Sequence, residues 1–227
     1  MTRNSRGLGA ALAAVALVLA ACAGSRKSTE IAPQPVAIKG NVAAAANAKA
    51  DSNRFAFTEA DVNFMSGMIH HHAQAIAMSK LAPTHGASQS LQTLAARIIN
   101  AQGDEIRLMQ QWLRDHHQEV PEPTPTGMKM KMGGEEHEML MPGMLTEEQM
   151  KQLAAANGKQ FDELFLQFMI QHHTGALSMV KDLFATPGAG QDEMTFKLAN
   201  DIQADQETEI ARMQKMLFAL KTGINPQ

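Results

Sequence analysis

Cysteine is all but missing from this chain: Cys22 stands alone, so no intramolecular disulfide can form. Tyrosine is absent, tryptophan occurs once, and all aromatics together make 4% of the 227 residues, whereas methionine reaches 17. So little aromatic and β-branched content beside abundant Ala, Leu, Met and Gln argues for helices rather than sheets. There is no long basic run and the net charge is −3 with histidine neutral, which leaves no footing for nucleic acid. The tetrad E-x-x-H, which ferritin-like di-metal oxidases carry in pairs, is found nowhere. The apolar stretch at residues 8–20 falls short of the ~20 residues that a membrane-spanning helix needs.

That stretch reads instead as an export signal. Arg3 and Arg6 flank it on the positive side, and Leu19-Ala20-Ala21-Cys22 supplies a cleavage site. L-A-A-C resembles a bacterial lipobox, which implies that residues 1–21 are a lipoprotein signal peptide and that Cys22 becomes the lipidated first residue. The protein would then be anchored to a membrane in the cell envelope and face the periplasm, outside the thiol-reducing cytoplasm. Ala23 follows the cysteine in place of the aspartate associated with inner-membrane retention, which favours the outer membrane. Residues 22–54 hold Pro33, Pro35, Gly40 and an alanine tract; with little to bury, they read as a tether.

The remainder repeats itself. M-I-H-H-H-A-Q-A-I-A-M from Met68 to Met78 returns as M-I-Q-H-H-T-G-A-L-S-M from Met169 to Met179, and Asp61 and Phe64 recur at the same offset as Asp162 and Phe165. Each phrase lies on a helix, predicted from Thr58 to about Leu81 and from about Lys159 to Phe184. Partner helices follow, from about Ser88 to His116 and from about Gln191 to Leu220, on which Gln102, Glu105, Ile106 and Met109 are repeated by Gln206, Glu209, Ile210 and Met213. Thr146 and Gln149 form a capping box that opens a short additional helix. Residues 55–117 and 146–221 are thus two duplicated helical hairpins, and two such hairpins make an all-α four-helix bundle.

Helical spacing sets Met68 and His72 one turn apart on one face, with His71 at its flank and Met78 in line with His71. His70 points to the opposite side, and its counterpart is Gln171, so it reads as a solvent position. Imidazole and thioether are neutral and fairly soft, a donor set suited to copper and above all to Cu(I). The candidate ligands are therefore Met68, His71, His72 and Met78 with Met169, His172, His173 and Met179; Met109 and Met213 add a thioether from each partner helix. Glu105 and Glu209 share the inward stripe, where they would orient an imidazole, simply accept a hydrogen bond, or bind Cu(II) directly.

Residues 118–145 differ from both copies. A proline-rich start leads into G-M-K-M-K-M-G-G-E-E-H-E-M-L-M-P-G-M, which offers little for a core and reads as a flexible, Met-rich linker. Met128, Met130, Met132, Met139 and Met141, with His137, are close-spaced soft donors for transient capture of copper.

The two motifs together, M-I-x-H-H-x-x-A-x-x-M followed by Q-x-x-E-I-x-x-M, resemble the CopM-like family of bacterial envelope copper-binding proteins, the domain of unknown function 305 family. The likeness runs from about Phe57 to Leu220, and both halves carry both motifs. It implies a ferritin-like bundle, copper binding that supports resistance, and Met68, His71, His72, Met78 and their second-copy equivalents as ligands.

The function expected is a non-enzymatic copper binder that sequesters or hands on Cu(I), with copper ions and a lipid membrane as its partners. A ferritin-like metal oxidase is one alternative, set against the missing E-x-x-H and a single suitable inward Glu in each hairpin. A structural or partner-binding bundle whose histidines never meet metal is the other. Protons compete for imidazole but not for thioether, so histidine sites are expected to weaken below about pH 6.5.

Overall fold

The computed structural model describes residues 57–224 except 133 and 134, with the backbone path alone at 129–138. The signal, Cys22 and the tether lie outside the described residues. The body is a four-helix bundle of two hairpins: α1 (Glu59–Ser79) with α2 (Gln89–Asp115), then α4 (Lys159–Ala185) with α5 (Glu193–Thr222). A short helix, α3 (Glu147–Ala155), leads into the second hairpin. Each hairpin packs its own two helices together, and α1 against α4 joins the copies. Among the described residues no helix is long and apolar enough to cross a membrane.

Local chemistry sets the helix ends. The Thr58 N–H donates to Asp61 Oδ2 at 2.7 Å while Thr58 Oγ1 accepts from the Asp61 N–H, a reciprocal box that starts α1. Thr146 and Gln149 open α3 in the same way, and Ser88 and Asp192 cap α2 and α5. α1 stops before Pro83, which sits in a single 3-10 turn, Ala82–Thr84.

The repeated aspartates hold the copies to each other. Asp61 Oδ1 accepts the Gly190 N–H of the second connector at 2.7 Å, and Asp162 accepts the Ser88 N–H of the first at 3.1 Å. Each thus ties the head of one hairpin to the elbow of the other. Asp61 is fully buried, so Asp61→Ala is expected to leave backbone donors unpaired and cost about 1–3 kcal/mol. Thermal denaturation of that variant reads the loss; an unchanged midpoint would show that the tie contributes nothing.

The connection at 118–145 has more form than a bare linker. β1 (Met128–Met132) and β2 (Glu135–Met139) pair antiparallel, with Met128 opposite Met139 and Met130 opposite His137. The chain then lies against α4 so closely that a Cβ on Gly175 would sit 1.9 Å from the Pro142 carbonyl oxygen. Only glycine at 175 permits that approach. Gln74 on α1 clamps the same segment: its amide donates to Leu145 O and Pro125 O, each at 3.0 Å, and accepts the Leu145 N–H at 2.6 Å. The alternation of Met with Lys along β1 suits two-residue periodicity.

Candidate metal centre

The bundle has two apolar cores, and they meet at a polar waist. On α1, Phe64, Met65, Met68 and Ile69 belong to one core and Ala75 and Met78 to the other. On α4, Phe161, Phe165 and Met169 belong to the second core and Ala176 and Val180 to the first. The residues at the crossover are His71 and His72 on α1 and His172 and His173 on α4. On the partner helices the changeover falls at Gln102, between Ile98 and Ile106, and at Gln206, between Ile202 and Met213. Four imidazoles and two carboxamides, all buried, therefore form one layer across the molecule.

The layer repeats its contacts as the sequence repeats its motif. The His71 and His172 rings lie against each other across the copies, with centroids 3.8 Å apart and planes tilted by 41°. His72 is 6.4 Å from His71 and His173 is 6.2 Å from His172, ring to ring. His173 Nε2 is hydrogen-bonded to Glu209 Oε2 at 2.7 Å. His72 Nε2 lies at the same 2.7 Å from Glu105 Oε2, off hydrogen-bond alignment. The two glutamates are thus placed to orient one imidazole in each copy.

The central pair is uncharged. Burial, then the neighbouring His72, pushes His71 down to about 3, against a weaker opposing hydrogen bond to the Pro142 carbonyl. Burial and then His71 hold His172 well below the ordinary histidine range. A neutral ring has one N–H and one lone pair. His71 Nε2 donates to the Pro142 carbonyl at 3.0 Å, which leaves the lone pair on Nδ1.

That lone pair has no partner. His71 Nδ1, His72 Nδ1, His173 Nδ1 and both ring nitrogens of His172 are buried and unpaired, as are both amide atoms of Gln102 and of Gln206. An unpaired buried polar atom costs about 1–3 kcal/mol, and native folds tolerate few. A layer with this many is a donor set awaiting an acceptor, and a soft cation fits it. Among the described residues no three His, Cys, Asp or Glu side chains are arranged to hold an ion.

Thioethers stand on both sides of the layer. Met68 and Met109 are buried in the core that Met179 joins, and Met169 and Met213 are buried in the core that contains Met78. Met78 thus shares a core with Met169 and Met213 of the second copy, and Met179 with Met68 and Met109 of the first. Met179 is only half-buried, unlike Met78.

The linker residues lie elsewhere. Met141 and Met179 meet over Gly67, whose Cβ position would be 3.0 Å from Met141 Sδ and 3.5 Å from the Met179 methyl. Met139 is exposed, and Met128 lines a cavity with His70 on the outer side of α1. The side chains of Met130, Met132 and His137 lie outside those described. His70 is not a solvent position: the segment after α2 covers it, and its Nδ1 is 3.0 Å from Thr124 Oγ1. A helical wheel sees the bundle face and has no knowledge of chain that later folds over the opposite face. Gln171, its counterpart, is exposed.

On the side of the layer away from Pro142, α2 and α5 part to leave a cleft of about 320 Å³. Glu105, Glu209, Asp205, Gln102, Gln206 and Arg97 line it. Burial and the nearby Glu105 and Glu209 raise the Asp205 carboxyl above its ordinary value.

The family model described as Domain of unknown function (DUF305) matches residues 61–217. Among solved structures, a DUF305 protein of Streptomyces coelicolor described as secreted is 30% identical over 71% of this chain and 94% of its own, with a TM-score of 0.59. A DUF305 fragment from Deinococcus radiodurans gives 25% over 71% and 97%, with a TM-score of 0.58. CopM in its Cu(I)-bound form gives 28% over 69% and 94%, with a TM-score of 0.52. No curated protein sequence matches.

Proposed function

The chain belongs to the DUF305 family, and on that premise we propose that it is a copper-binding protein of the cell envelope that holds Cu(I) through histidine and methionine. The observation that carries this reading is the waist: buried imidazoles with unpaired ring nitrogens, between two cores that each contain methionines. His71, His72, His172 and His173 supply nitrogen; Met68, Met109 and Met179 supply sulfur on one side, and Met169, Met213 and Met78 on the other. Neutral donors leave the ion's charge uncompensated in a buried setting, which favours the monovalent state. CopM has been solved with Cu(I), Cu(II) and silver, which supports a soft-ion site on this fold.

The role is storage or transfer in support of copper resistance, with no reaction catalysed. Export by the N-terminal signal and a lipid at Cys22 would hold the bundle at the outer membrane, facing the periplasm. An oxidase would need several carboxylates at one centre, whereas each hairpin brings one glutamate to the layer. A scaffold that never meets metal would have no use for so many unpaired buried atoms.

Copper content tests the reading. Protein purified from copper-supplemented cells should retain copper by elemental analysis, and the variant with His71, His72, His172 and His173 all changed to Ala should lose most of it. Silver should bind at a similar stoichiometry. No copper in either form would sink the proposal.

A further inference from the structure

We infer that the cleft between α2 and α5 is the port through which metal reaches the histidine layer, and that Asp205 draws the cation into it. This rests on the copper reading above. On the Pro142 side the linker lies against Gly175 and covers His71, and the cavity there, lined by Met141, Pro142 and Met179, has a single carboxylate, Asp182. On the other side Glu105 and Glu209 join the two spaces: each lines the cleft, and each lies 2.7 Å from a waist histidine. Both carboxylates are partly exposed, at 14% and 21%, whereas the rings behind them are at 0%, so they mark the boundary between water and the buried layer.

The cleft floor points to a cation. Gln102 and Gln206 line it at 3% and 2% exposure, and neither amide oxygen nor nitrogen has a partner. The amide oxygens are neutral donors on the path between the carboxylate mouth and the imidazoles. Asp205, Glu105 and Glu209 bring three negative groups to the cleft against the single guanidinium of Arg97. A low-dielectric cleft with one sign of charge concentrates the opposite ion and speeds its arrival without adding to its final binding energy. Asp205 has no ring to orient, and its counterpart in the first copy is Ala101, so it acts on arrival and is not a ligand.

Rate and affinity separate under this arrangement. The apo full chain is mixed with Cu(I) as its acetonitrile complex, quenched with excess bicinchoninate after set intervals, and the metal withheld from the chelator is read. Asp205→Asn should slow loading roughly three- to tenfold at low salt, with the difference shrinking as salt rises. Thr208→Trp, a bulky change at an exposed cleft position, should slow it more. Both should keep the wild-type stoichiometry and equilibrium affinity. Asp182→Asn, at the opposite cavity beside Met141 and Met179, should load like the wild type. Unchanged rates in both cleft variants, or a slowing in Asp182→Asn alone, would overturn the port; so would lost affinity at an unchanged rate in Asp205→Asn. A wild type that takes up no Cu(I) would instead sink the copper reading on which the port depends.

Discussion

Changing His71 and His172 together to leucine is expected to leave the metal-free bundle at least as stable as the wild type while removing most of its Cu(I) capacity. These two rings lie 3.8 Å apart, centroid to centroid, and carry three of the unpaired nitrogens. Each such atom costs about 1–3 kcal/mol, and an apolar side chain of similar bulk carries no such cost. Against the gain stands the hydrogen bond from His71 to Pro142, a loss of about 1 kcal/mol plus an unpaired carbonyl. The balance favours leucine for folding and histidine for binding, which is the trade expected where a site is built at the expense of stability. Thermal melting of the two apo proteins and a Cu(I) chelator titration read the two halves. A markedly less stable variant that still binds wild-type copper would show that the pair is structural.

Acid should unfold the apo wild type far more readily than that leucine variant. His71 titrates near 3 in the fold and His172 also well below the ordinary value, whereas both return to about 6.5 when unfolded. The unfolded chain therefore binds more protons below pH 6.5, so stability is complete above that value and falls as pH drops towards 3. The loss is roughly 1 kcal/mol per pH unit for each histidine, a steep gradient against the 5–15 kcal/mol that holds a typical domain. Melting temperature should drop sharply from pH 6.5 to 4 in the wild type and shallowly in the variant. Bound Cu(I), present only in the fold, should flatten the wild-type curve. An equally flat profile for both apo proteins would contradict the burial of these rings.

This differs from the sequence expectation that proton competition begins at the ordinary histidine value. Spacing places His71 and His172 on inward faces, but it gives no measure of how far a second helix and the Pro142 strap exclude water. Other parts were legible for identifiable reasons. Two helices per copy follow from periodicity and caps, with Thr58, Ser88 and Thr146 standing one residue ahead of α1, α2 and α3. His71, His72, Gln102, Glu105 and their counterparts were found because both copies keep them. Asp205 escaped for the converse reason, since Ala101 occupies its place in the first copy. The Pro142 carbonyl escaped because a backbone acceptor leaves no mark in a sequence. Asp61 and Asp162 were seen to recur, yet their role as ties between copies needed the fold.

The exchange of Met78 and Met179 between halves has a consequence for how such a molecule can be made at all. A half-length polypeptide ending after α2 would keep Met68 and Met109 in one core but would lack Met179 there, and its Met78 would be parted from Met169 and Met213. A symmetric homodimer would complete that set, with Met78 of each protomer standing where Met179 stands beside the other. Fusing the two halves in one polypeptide makes the layer independent of protein concentration.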